Sequence, residues 1–195
     1  MAAPSRTIRS RRGLSLMEVA VAIAVTSIAG AALLTSLTAA VRTSTLLAQR
    51  QCASGLATQL LDEITRLPVD ANAAAAPLGN RNGYTAVDHF DGWTATPPLD
   101  AYGRQIGSEE AVQIDATAAR PLALRADTEL MAKLTRSASV ERVQQNGAGG
   151  WETVSDSIDT PYRRVTVVVS ITEGTNVPKP LATQSRIVSE VTSAP

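Results

Sequence analysis

The sequence predicts an α+β chain: a long N-terminal helix, apolar in its first half and amphipathic in its second, packed on a small antiparallel β-sheet head. Three observations predict it. Residues 14–41 hold a single charge, Glu18, in an otherwise apolar or weakly polar run. Residues 46–67 carry leucines and alanines at spacings of three and four, the period of one helix face. The last third of the chain alternates β-branched with polar residues, most clearly at Val165, Val167, Val169 and Ile171.

The 195 residues suffice for one modest domain plus an appendage. Aromatic residues make up only 3%, so a core must be built mainly from Val, Ile, Leu and Ala. The formal net charge of zero hides an asymmetry, because Arg6, Arg9, Arg11 and Arg12 all precede Leu14. Beyond residue 13 the balance is 14 basic against 18 acidic, so no cationic excess remains for a phosphate backbone and no nucleic acid partner is expected. The lone cysteine, Cys52, excludes an intramolecular disulfide and is expected as a small, buried or half-buried residue of a helix. The lone His89 leaves no multi-histidine metal site.

As a helix, residues 14–41 would run about 42 Å, more than the ~30 Å of a bilayer core. Four arginines ahead of it, with no acid among them, predict a cytoplasmic N-terminus and an extracytoplasmic head. A cleaved secretory signal fits poorly, since its apolar core is typically ~7–15 residues. A plain signal anchor explains the arginines and the run but not Glu18. A carboxylate in a membrane-length helix is costly and calls for a role.

The segment Gly13-Leu14-Ser15-Leu16-Met17-Glu18-Val19 resembles the processing motif of type IV prepilins. That resemblance implies cleavage between Gly13 and Leu14 by a membrane prepilin peptidase, methylation of the new N-terminus at Leu14, and an assembly role for Glu18 as fifth residue of the mature chain. Leu14, Ser15 and Met17 stand where the family more often has phenylalanine, threonine, and isoleucine or leucine. The implied organisation is a basic leader at 1–13, a transmembrane and assembly helix at 14–41, its amphipathic continuation at 42–67, and a β-rich head at 68–195.

The continuation carries Leu46, Leu47, Ala53, Leu56, Ala57, Leu60, Leu61, Ile64 and Leu67 on one face, a stripe expected to pack on the head's own sheet. Pro68 ends the helix and biases Leu67 away from helical geometry. A helix over 15–66 would span roughly 75–80 Å, with Gly30 and Gly55 as weak points.

In the head, residues 69–83 are rich in Ala, Asn, Gly and Pro and predict a flexible surface loop. The stretch from Tyr84 to Trp93, with Pro97-Pro98 after it, is turn-rich and aromatic, and its rings are expected to pin it to the head. Asp88, Asp91 and Asp100 are hard oxygen ligands of the kind calcium takes, but their spacing matches no calcium loop. His89 has no partner ligands for zinc, so no metal and no cofactor is expected. Glu110–Ala116 predicts a short strand, and Leu122–Met131 a loop or short helix. Leu134–Val143, Tyr162–Ile171 and Leu181–Val191 predict three strands in an antiparallel meander, with a turn at Asn146–Gly150 and a loop over Thr172–Pro180. Asp62, Glu63, Glu109 and Glu110 are expected as solvated surface charges.

A second resemblance joins the first. Leu56-Ala57-Thr58-Gln59-Leu60-Leu61-Asp62-Glu63-Ile64, Val87-Asp88-His89-Phe90-Asp91-Gly92-Trp93 and Tyr162-Arg163-Arg164-Val165-Thr166-Val167-Val168-Val169 are similar to minor pilins of the mannose-sensitive haemagglutinin type. His89 replaces an aspartate of that family's loop. The sequence carries no phosphate-binding glycine loop, no Cys/His cluster and no nucleophile elbow. The expectation is therefore not an enzyme but a minor pilin or pseudopilin of a type IV pilus or type II secretion system. Its partners would be the prepilin peptidase/methyltransferase, other pilin or pseudopilin subunits and the inner membrane. The alternative is a membrane-anchored extracytoplasmic ligand-binding module that does not polymerise.

Overall fold

The computed structural model describes residues 15–70, 76, 81–107, 127–174 and 177–190. The chain parts into two compact units at Leu46/Leu47. One helix, α1 (Leu16–Ile64, 49 residues), supplies secondary structure to both.

In the first unit every described residue is exposed. This is what an apolar segment shows when none of the described residues covers it. Polar side chains there are sealed against the helix itself: the hydroxyls of Thr26, Ser27, Thr35, Thr38, Thr43 and Thr45 each donate to a backbone carbonyl three or four residues back, at 2.8–3.0 Å. Among the described residues, α1 is the one helix long and apolar enough to cross a membrane.

In the second unit the predicted stripe is buried from Ala53 onward, through Leu56, Ala57, Leu60, Leu61 and Ile64. Its first two members differ: Leu46 is 49% exposed and Leu47 54%, and both precede the part of α1 that the sheet covers. The helix ends at Ile64 and Leu67 N–H closes a turn onto Ile64 O at 3.0 Å, as Pro68 demands.

The sheet has five strands: β1 (Thr94–Ala95), β2 (Leu134–Gln145), β3 (Trp151–Thr153), β4 (Tyr162–Ile171) and β5 (Lys179–Ser189). Their order is β1-β2-β4-β5, with β3 also paired to β2, and all pairings are antiparallel. The expected meander is thus present as β2, β4 and β5. β4 alternates without a break, with Val165, Val167, Val169 and Ile171 turned to the core where α1 lies. β2 alternates from Leu134 to Ala138, then loses the period where it leaves β4 for β3, which explains why Val143 is buried out of phase.

The short strands β1 and β3 were not foreseen, since two or three residues carry no periodic signal. Within Leu122–Met131 the described part begins the helix α2 (Thr128–Lys133), capped by the Asp127 carboxylate, which accepts from Glu129 N–H and Leu130 N–H. The strand expected over Glu110–Ala116 lies outside the described residues. Of the loop expected over 69–83, the described residues include Val69, which is buried, and a 3-10 turn at Arg81–Gly83 whose arginine is also buried. Arg81 therefore anchors that end of the stretch to the head, while Asn82 and Gly83 are exposed as a surface loop would be.

Candidate functional site

The start of α1 is the candidate site. Gly13 and Leu14 lie outside the described residues. Ser15 and Glu18 form a reciprocal cap: Glu18 Oε2 accepts from Ser15 N–H at 2.8 Å, and Ser15 Oγ accepts from Glu18 N–H at 3.2 Å. Two amides that no helical carbonyl can reach are thereby satisfied. The carboxylate folds back toward the helix start, where the dipole favours an anion. Met17, Val21, Ala22 and Val25 continue from Glu18 as a shallow, mostly apolar groove along one side of the helix. The Ser-x-x-Glu spacing is a legible capping signal that the reading of Glu18 as an assembly residue passed over.

The head offers charged clusters, each consumed in holding the fold. Asp88, Asp91 and Asp100 do not converge: Asp88 pairs with Arg163 at 2.7 Å, Asp91 accepts from Val140 N–H at 3.0 Å, and Asp100 binds Arg104 at 2.9 Å. Among the described residues no group of three potential ligands gathers. His89 is buried, with Nδ1 accepting from Thr85 N–H at 3.2 Å and its ring edge-on to Tyr84. Tyr84 in turn meets Phe90 edge-on, so the aromatics do pin this stretch.

Three buried arginines organise the junction of helix, loop and sheet. Arg81 makes a two-pronged pair with Glu63, with both nitrogen–oxygen distances near 3 Å, and lies 4.3 Å from the centre of the Trp93 ring. Glu63 is therefore not the solvated helix-end charge the sequence suggested. Asp62 binds Arg186 of β5 at 3.1 Å but keeps 45% of its side-chain surface, a solvated surface charge as expected. Arg136, 1% exposed, donates to Leu56 O of α1 at 3.2 Å and to Leu99 O, which also accepts from Arg81. Burial, and then repulsion from Arg81, pull its guanidinium down to about 10, so it stays charged at neutral pH. Arg163 is fully buried on β4. Arg136 and Arg163 occupy inward positions of their strands by simple alternation, so their burial was readable from the period once the arginines were not assumed to be solvated. Cys52 is half-buried beside the core, and burial pushes its thiol pKa up.

No family model, no curated protein and no solved structure matches the chain.

Proposed function

We propose that the chain is a minor pilin or pseudopilin subunit. It is cleaved after Gly13, methylated at Leu14 and assembled through its N-terminal helix into a type IV pilus or a type II secretion pseudopilus. The observation that carries this reading is the start of α1: a capped carboxylate, Glu18, one turn into an uncovered helix of membrane length and preceded by a basic leader. The subunit would wait in the inner membrane with its N-terminus in the cytoplasm and its head outside, then leave the bilayer for a bundle of like helices. Apolar surface facing lipid would come to face neighbouring helices. Glu18 would meet the N-terminal amine of an adjacent subunit, a pairing favoured by the low dielectric of such a bundle. The chain performs no chemistry here; it is the substrate of the peptidase and methyltransferase.

Co-expression with a prepilin peptidase followed by N-terminal mass spectrometry tests the reading. The expected product begins at methylated Leu14, and Gly13→Val abolishes it. Glu18→Ala should be cleaved as wild type but enter filaments poorly. An intact leader in the wild type, or function unchanged in an unprocessed monomer, would instead favour a membrane-anchored binding module.

A further inference from the structure

We draw no further inference here: the strongest candidate, the uncharged outward patch of Ser139, Thr166 and Ser185 in register across β2, β4 and β5, carries nothing, since nothing in the structure shows what covers it.

Discussion

At the scale of single residues, stability rests on charges placed where charges are costly. Arg163 shows no exposed surface, and its Nε meets Asp88 at 2.7 Å. Removing one partner of a buried pair strands the other, so Arg163→Met should cost about 3–5 kcal/mol. The low end is expected, because the Asp88 side chain keeps 26% of its surface. Adding Asp88→Asn should recover part of that loss, which a double-mutant cycle of urea unfolding in micelles would measure. Cys52 gives a pH signature. Burial raises its pKa, so the folded state holds the thiol proton more tightly than the unfolded chain does. Its share of stability is full below the unfolded value near 9.0 and is lost as pH climbs from there through the folded value. Between pH 8 and 10 the wild type should therefore lose more stability than Cys52→Ala; equal losses would show that the thiol does not titrate differently on folding.

At the scale of elements, α1 is one helix serving two environments. Leu60 is fully buried against the sheet, while Leu37 is 60% exposed. Leu60→Ala should destabilise the head by about 2–5 kcal/mol, whereas Leu37→Ala should leave head unfolding unchanged; equal effects would mean the two halves of the helix are not separately employed. How much of this was legible follows from length and period. α1 and β4 announce themselves because ten or more residues repeat a pattern, whereas β2 alternates only in part and β5 shows no strict alternation. β1 and β3 are too short to do so, and their pairing is decided by what they meet across the sheet. Leu46 and Leu47 continue the stripe in sequence, yet a stripe says only which way a side chain points and not where its cover ends. Glu63 and Arg81 looked like surface charges for the same reason: their burial depends on each other, across a separation of 18 residues. At the candidate site Glu18 stood out as the single charge of an apolar run and its assembly role rested on the family resemblance, while the cap at Ser15 was written in the Ser-x-x-Glu spacing and went unread.

At the scale of the whole molecule, the core belongs to the second unit, and α1 contributes Ala53 to Ile64 to it. A chain of residues 47–195 should therefore fold cooperatively without the apolar segment, whereas residues 68–195 should not, having lost one wall of the core. Circular dichroism and thermal unfolding of the two truncations would decide this, and cooperative folding of the shorter one would refute the assignment of the helix to the core. The edge strand β5 carries several features that oppose pairing with another chain. Lys179 and Pro180 begin it, its register with β4 shifts at Val169/Ser170, and Arg186 is held by Asp62 and Thr65 of the helix and the turn that follows it.

The back-bonded hydroxyls of α1 have a thermodynamic consequence. A helix in which these six hydroxyls already bond its own backbone presents lipid and protein with nearly the same apolar cylinder, and passage from one apolar medium to another carries little hydrophobic driving force. Such a helix is close to indifferent to its solvent. In the proposed assembly, direction would then come from elsewhere: from the single carboxylate at its start, from the close fit between neighbouring helices, and from whatever external work moves the subunit.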